Sequence, residues 1–458
     1  MKIQVKNLGT IKQGEIALDK NLIVLAGPNH SGKSYIAYLI YGLLKIKENN
    51  ASNSLYDKYK KSLYQYFDQE NVLSQYMTEK GLSINRPAFF KENAERYHRI
   101  HSQVLLNSMM EVFASKELQP QIQLAETDAE MNCPVVREFE EIVQRGGVSY
   151  RCQVSNEWFE LVSDKHQNRA FSLIKPYFYE AFVDANAFNS YFFPAERSAL
   201  NLISNEVVKE KALERDDLAT QINAGDSLER IVKSLQKKLA FVPRYPLPIN
   251  DYMYFINDLI YLRKNDSDYV NFAQEIEKTL MHGKVLVTKH GELQFKPNKL
   301  RKPLPLHLAS SLVKSLAGLV VYFRYLAREN DVIIIDEPEL NLHPDNQRRI
   351  AKILAKAANV GFKMILSTHS SYIIKEFNNL IMLSNGGSTK IKKALLKQYG
   401  YNKEMILAID TIGAYFFNNN TIQSVPITEK GFAVETINEE IDDLEDTAMN
   451  IYFELLDN

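Results

Sequence analysis

Gly27-Pro28-Asn29-His30-Ser31-Gly32-Lys33-Ser34 is the stretch on which the reading of this 458-residue chain turns. It is a complete G-x-x-x-x-G-K-S loop, and its setting is the one such a loop needs. Before it runs Leu22-Ile23-Val24-Leu25-Ala26, a continuous apolar segment suited to a strand covered on both faces. After it, Ile36, Leu39, Ile40 and Leu43 recur on one side of a helix running from Ser34 to Lys45. The glycines let the backbone curl, so that amides from Gly27 through Asn29, Ser31 and Gly32 point at a phosphate, helped by the positive end of the helix. Lys33 is placed to bridge the β- and γ-phosphates of a nucleotide, and the Ser34 hydroxyl to ligate Mg²⁺. A plain glycine-rich turn would account for the loop, but not for strand, motif and helix in succession.

Two further strand ends carry polar groups. Val332-Ile333-Ile334-Ile335 leads into Asp336-Glu337-Pro338. A P-loop enzyme needs a strand-end acid for the Mg²⁺ shell, which fits Asp336. It also needs a group that orients or deprotonates the attacking water, which fits Glu337 as general base. Met364-Ile365-Leu366-Ser367 then runs into Thr368-His369-Ser370. Alone, a strand-end His is more often structural than catalytic. One helix (Pro344 to Ala358) separates it from the Asp-Glu strand, which makes His369 a candidate sensor of the γ-phosphate. Strand, helix, strand is the βαβ grammar of a parallel sheet. Upstream lie a long apolar helix over about 308–327 and a hairpin over 284–295 turning at His290-Gly291.

The rest of the chain bounds the function. Hydrophobic residues make up 45% and charged residues 24%, a globular and not a disordered composition. Two cysteines, Cys133 and Cys152, exclude a disulfide framework and a cysteine zinc cluster. The most apolar stretch, Leu312 to Ala327, is broken by Lys314 and Arg324, and Met1 to Lys6 alternates like a strand rather than a signal peptide. A cytoplasmic protein without membrane contact is expected. The formal net charge of -1 hides an asymmetry: from Glu435 onward there are nine acidic residues and no Lys or Arg, leaving a formal +8 on the body before it. Short basic runs (Lys60-Lys61, Arg96-x-His98-Arg99, Lys237-Lys238) suit either a solvated helix face or a phosphate backbone.

The order P-loop, Asp-Glu, His at strand ends resembles the ABC-type ATPases, in the branch of SMC-like, RecF-like and OLD-like proteins. Asp336-Glu337-Pro338-Glu339-x-x-Leu342-His343-Pro344 is similar to the D-E-P-E-x-x-L-H-P pattern of the prokaryotic AAA-15/AAA-21 group, as are Ser367-Thr368-His369-Ser370 and Leu308-Ala309-Ser310-Ser311-Leu312. Tyr191 to Arg197 resembles the P-A-E-R segment of the same group. The resemblance implies an α/β P-loop fold of ABC-ATPase type, a mixed sheet with a β-subdomain and helical insertions. It gives Ser310 the signature role, reaching the γ-phosphate held by an opposite subunit. Unlike transporter signatures, Ser310-Ser311-Leu312 contains no glycine, and a helix N-cap reading of Ser310 is compatible with that role. No Q-loop glutamine stands out; Glu196 or Arg197 occupies that region.

The division expected is an N-terminal core with the P-loop (1–48), a helical insertion (49–147), a β-subdomain segment (148–203), a helical arm or lid (204–282), a C-terminal core (283–390), and a helical C-terminal region with the acidic tail (391–458). Pro243, Pro246 and Pro248 argue against a long coiled coil in the arm. The resemblance implies ATP and Mg²⁺ as ligands and a homodimer or higher oligomer with composite ATP sites. It further implies a switch or sensor ATPase, as in anti-phage systems such as the Septu and PARIS ATPases, beside a separate nuclease effector. No H-N-H or Toprim-like cluster stands in the 89 residues after His369. The competing expectations are a RecF-like ATPase that grips DNA and an ATP-binding scaffold with little turnover.

Overall fold

A computed structural model describes residues 1–48, 54–69, 72, 76–78, 81–125, 139–145, 148–155, 157–163, 189–203, 244–263, 265–385, 389–433 and 446–453. The N-terminal part runs β1 (Lys2–Leu8), β2 (Ile11–Ala17), β3 (Leu22–Ala26) and α1 (Lys33–Lys47), with the strand, P-loop and helix in the succession expected. Next come α2 (Ser54–Gln69), β4 (Met77–Thr78), β5 (Gly81–Asn85), α3 (Arg86–Asn107), α4 (Met109–Phe113), β6 (Gln121–Ala125), β7 (Phe139–Arg145), β8 (Val148–Val154) and β9 (Trp158–Ser163). The middle contains β10 (Ser190–Phe193), α5 (Leu247–Asn257), α6 (Leu259–Leu262), α7 (Val270–Ile276), β11 (Gly283–Val287), β12 (Leu293–Pro297) and β13 (Leu304–Pro305). The C-terminal part has α8 (Ser311–Tyr325), β14 (Val332–Asp336), α9 (Pro344–Asn359), β15 (Lys363–Thr368), α10 (Ser371–Met382), α11 (Thr389–Tyr399), β16 (Ile412–Asn418) and β17 (Thr421–Val425).

Nine strands form the main sheet in the order β10-β14-β15-β3-β16-β17-β2-β1-β6. From β10 to β16 all neighbours are parallel, and the strands beyond add antiparallel pairs, so the sheet is mixed as expected. The continuous apolar runs are explained by helices on both faces. Ile23, Leu25, Ile334 and Ile365 point into one core with Ile36, Leu39, Ile40 and Leu43 of α1 and with Tyr59, Phe89 and Leu105. Their neighbours Leu22, Val24, Ile333 and Met364 point into the other, against α8, α9 and α10. Phe323 of α8 stacks on Phe272 of α7 with ring centroids 5.1 Å apart. Two smaller sheets flank this body: β11-β12-β13, which contains the expected 284–295 hairpin, and β4-β5-β9-β8-β7.

Two stretches differ from the sequence reading. Residues 49–147 are not only helical: β4, β5 and β7 join the β8–β9 hairpin, and β6 pairs with β1 at the edge of the main sheet. The overlooked signal is the period-two burial of Leu82 and Ile84, and of Ile122 and Leu124. Nor is the C-terminal region only helical. β16 lies beside β3 in the middle of the sheet and turns into β17 through Asn419 and Asn420, both at positive φ, as a two-residue hairpin requires. Residues 204–243, with Lys237-Lys238, lie outside the described residues, as do 434–445 and 454–458 of the acidic tail; 446–453 are helical. No helix among the described residues is long and apolar enough to cross a membrane.

Candidate active site

The parallel register brings the polar strand ends level with one another. Asp336 pairs with Ser367, Ser367 with Leu25, and Thr368 with Ala26, so the P-loop leaves the sheet next to the histidine-bearing end of β15 and level with the acidic end of β14, one strand further on. The carboxyl edge of such a sheet, where the chain departs to opposite faces, is where ligands bind.

The P-loop requires its glycines. A Cβ on Gly27 would stand 2.6 Å from the Phe417 carbonyl of β16, and Gly32, at φ 97°, lies against Ile11 and Thr10 of the β1–β2 turn. His30 also takes a left-handed φ of 64°. Lys33 opens α1 and is buried; its Nζ donates to the carbonyls of Gly27 (2.9 Å) and Pro28 (2.7 Å). Burial pushes its ammonium pKa down, and Asp336, Glu337 and Glu339 oppose that shift. Ser34 is exposed on the first helical turn, while the Ser31 hydroxyl oxygen is buried without a hydrogen-bond partner.

Asp336 is buried and accepts a short hydrogen bond from Ser367 Oγ. Glu337 then turns the chain at φ 50°, a left-handed conformation unusual for a glutamate. Its amide donates to the Ser367 carbonyl at 3.0 Å. Burial raises its carboxyl pKa and the adjacent Asp336 adds to this, whereas His369 and Lys33 pull it back. His369 sits with Nδ1 at 3.3 Å from Glu339 Oε1 and 3.9 Å from Glu337 Oε1, its side chain 43% exposed.

Two further residues join this cluster. Glu339, quoted only as part of a motif, is buried and accepts from Thr368 Oγ1 (2.8 Å) and the His369 amide (2.9 Å), which fixes the loop that presents the imidazole. Arg197, left open with Glu196 as a Q-loop equivalent, is buried and donates to the carbonyls of Asp336 (2.7 Å) and Glu337 (2.8 Å), while Glu196 is exposed. A basic residue inside Pro194-Ala195-Glu196-Arg197 was the available signal. Ser310 is not brought to this cluster. It is the exposed N-cap of α8, its Oγ accepting from the Val313 amide at 3.4 Å. Of the basic runs, Lys60 lies over the rings of Tyr56 and Tyr64 on its own helix.

The donor set fits a Mg²⁺–nucleoside triphosphate. The glycine cradle, the buried cation and the orphaned Ser31 hydroxyl suit phosphate oxygens. Among the described residues no three or more His, Cys, Asp or Glu side chains converge on a metal position. Mg²⁺ needs no such cage, because it binds through one or two carboxylates plus substrate phosphates. Asp336 and the Ser34 hydroxyl are the candidates, and Glu337 is the one half-buried carboxylate beside them with a raised pKa.

One protein family and several known proteins match this chain. Residues 1–374 match the AAA_15 family, described as an AAA ATPase domain. A stretch of 120 residues is 29% identical to the energy-coupling factor transporter ATP-binding protein EcfA of Carboxydothermus hydrogenoformans, covering 24% of this chain and 42% of that relative. The SMC head domain from Thermotoga maritima is similar at 12% identity and a TM-score of 0.29, over 93% of this chain and 98% of that one. The Smc head domain with an extended coiled coil bound to the C-terminal domain of ScpA, derived from Pyrococcus furiosus, is similar at 13% identity and a TM-score of 0.31, over 98% of both chains.

Glu339→Ala removes the acceptor of the His369 amide. A hydrogen bond to a charged group is worth about 1.5–3 kcal/mol. Exchange of that amide, followed by NMR, should accelerate about ten-fold or more, while amides inside α1 keep their rates; unchanged exchange at His369 contradicts the assigned contact.

Proposed function

The chain belongs to the AAA_15 family of ATPase domains, ATPases of the AAA/ABC type, and from that premise we propose that it hydrolyses ATP as a nucleotide-dependent switch. The observation that carries the reading is the meeting of Lys33, Asp336, Glu337 and His369 at the ends of β3, β14 and β15. Lys33 and the amides of Gly27, Asn29, Ser31 and Gly32 bind the phosphates. Asp336 and Ser34 hold Mg²⁺, which neutralises the β- and γ-oxygens when bound. Glu337 takes the proton of the attacking water, and His369, oriented by Glu339, hydrogen-bonds the γ-phosphate. Ser310, exposed on α8, serves the site of a second subunit, so two chains close over ATP and open after hydrolysis.

The finer reading is a sensor or regulatory ATPase of anti-phage defence acting beside a separate nuclease. Its support is the likeness of the segments Asp336–Pro344 and Ser367–Ser370 to defence ATPases such as the Septu ATPase.

A second reading, an ATPase that grips DNA, is favoured by one segment of the chain. Residues 278–307 carry seven Lys or Arg (Lys278, Lys284, Lys289, Lys296, Lys299, Arg301, Lys302) against Glu292 alone, six of the formal +8 of the body. All seven are exposed, and Lys284 stands directly opposite Lys296 across β11 and β12. Like charges so paired destabilise a sheet unless an anion covers them. On this reading, DNA affinity falls steeply with salt, and Lys284→Glu combined with Lys296→Glu weakens it about ten-fold or more and flattens the salt slope. Salt-independent or absent DNA binding removes this reading and leaves the first.

Glu337→Gln should keep Mg²⁺–ATP binding and lose about a hundred-fold or more in kcat, whereas Lys33→Ala should lose the binding itself in a calorimetric titration. In the parent protein kcat/KM should rise with pH through the pKa of Glu337, because the deprotonated carboxylate is the base. The half-point should lie above the ordinary glutamate value of about 4.3. Normal turnover by Glu337→Gln rules this residue out as the base.

Ser310→Arg tests the composite site. It should leave ATP binding by the isolated subunit intact and block ATP-driven association and hydrolysis. Mixed with Lys33→Ala, it forms dimers with one doubly defective and one intact site, and part of the activity should return. Normal hydrolysis by Ser310→Arg alone overturns a site shared between subunits.

A further inference from the structure

Arg197 stands in the helical turn 197–203 that follows β10, and its side chain reaches three separate parts of the chain. Nε donates to the Ser315 carbonyl of α8 at 3.0 Å. Nη1 donates to Pro194 (3.0 Å) and Asp336 (2.7 Å), and Nη2 to Glu337 (2.8 Å). Every acceptor is a main-chain carbonyl, and the residue is only 2% exposed. A buried cation bound to no carboxylate is an expensive way to fill space; a well-packed apolar side chain does so at no electrostatic cost. What the guanidinium supplies is a rigid planar fork of five donors, which matches acceptors at fixed angles.

The position of those acceptors gives the fork its use. Glu337 sits at φ 50°, where a glutamate is strained, and its carbonyl is held by Nη2. The other end of the fork holds α8 five residues beyond Ser310. That end of α8 is tied to the same turn a second time, through Asn201 Nδ2 to the Lys314 carbonyl at 2.7 Å. Asn341, just past the Asp-Glu segment, adds a bond to Ser315 Oγ at 2.9 Å. The N-terminal turns of α8 and the Glu337 backbone are therefore braced together, with Arg197 the side chain that bonds to both.

We propose that Arg197 is a positioning residue that holds the strained Glu337 backbone in its working geometry and makes that geometry follow the placement of α8. This rests on the reading of Glu337 as general base and of Ser310 as the contact across subunits. A shift of α8 on engaging a second subunit then moves the Ser315 carbonyl, the fork and the carbonyls of Asp336 and Glu337 together. All three guanidinium nitrogens of Arg197 are engaged by main-chain carbonyls, so it acts on the rate through Glu337 and leaves affinity alone.

The test is a double-mutant cycle with Arg197→Lys, which keeps the charge but cannot present a planar fork, and Arg197→Gln, which keeps two donors. Both are assayed below their melting temperatures, so that either variant suffices if the other folds poorly. In the parent background, kcat should fall about thirty-fold or more, with the Kd for a non-hydrolysable ATP analogue changed less than about three-fold. In the Glu337→Gln background, single-turnover hydrolysis should fall by less than about three-fold, since the base through which Arg197 acts is already gone. Equal losses in both backgrounds, or a full parent rate per folded molecule, overturn the inference while the site reading stands. Parent-level turnover by Glu337→Gln itself overturns both.

Discussion

The parallel pairing of β3, β15 and β14 is the constraint on which the rest of the structure depends. Asp336, Ser367 and Leu25 stand side by side in one register, and the P-loop and the Asp336- and His369-bearing loops leave the sheet there. A slip of one residue in any of these strands would turn its apolar set to the opposite face. Both faces are covered, by α1 on one side and α8 to α10 on the other, so such a slip would exchange the side chains that each helical layer is packed to fit. The buried isoleucines of β14 thereby fix the height at which Asp336 and Glu337 emerge. A long apolar run without polar interruption is a weak guide to fold class but a strong clamp on position.

Around that clamp, the site is assembled from charges that would be unfavourable singly. Lys33, Asp336, Glu337, Glu339 and Arg197 are all buried or half-buried. Each is tolerated through main-chain or hydroxyl partners: Lys33 through two P-loop carbonyls, Asp336 through Ser367, Glu339 through Thr368 and the His369 amide. The acids oppose the downward push of burial on Lys33, and Lys33 and His369 moderate the upward shift of Glu337. The environment is thus tuned by mutual opposition, with one carboxylate buried and bonded and its neighbour left half-open to solvent.

How much of this was legible in the sequence depended on whether the signal was local. The P-loop, the Asp336-Glu337 strand end and the His369 strand end are contiguous motifs, and their elements lie where the periodicity puts them. Arg197 and Glu339 act through partners far along the chain, so their residue types carried no hint of which carbonyl or hydroxyl they meet. β16 was hidden for a related reason. Ile412-Gly413-Ala414-Tyr415-Phe416-Phe417 reads as apolar without alternation, and only its pairing with β3 distinguishes a central strand from a buried helix. The Asn419-Asn420 turn was the local clue to a hairpin there.

Strand β6 has a consequence for how this architecture can be altered. It is encoded within the stretch between α1 and β10, yet it is the outermost strand of the main sheet on one side, covering Lys2 to Lys6 of β1. Excising that stretch would therefore not leave a smaller, tidier core. It would uncover a row of unpaired amides and carbonyls along β1, a template for strand addition by other molecules. Any shortened or grafted version needs a substitute covering for that margin, such as a replacement strand or lysines and a proline placed along β1. Without one, self-association of the trimmed core is the outcome to design against.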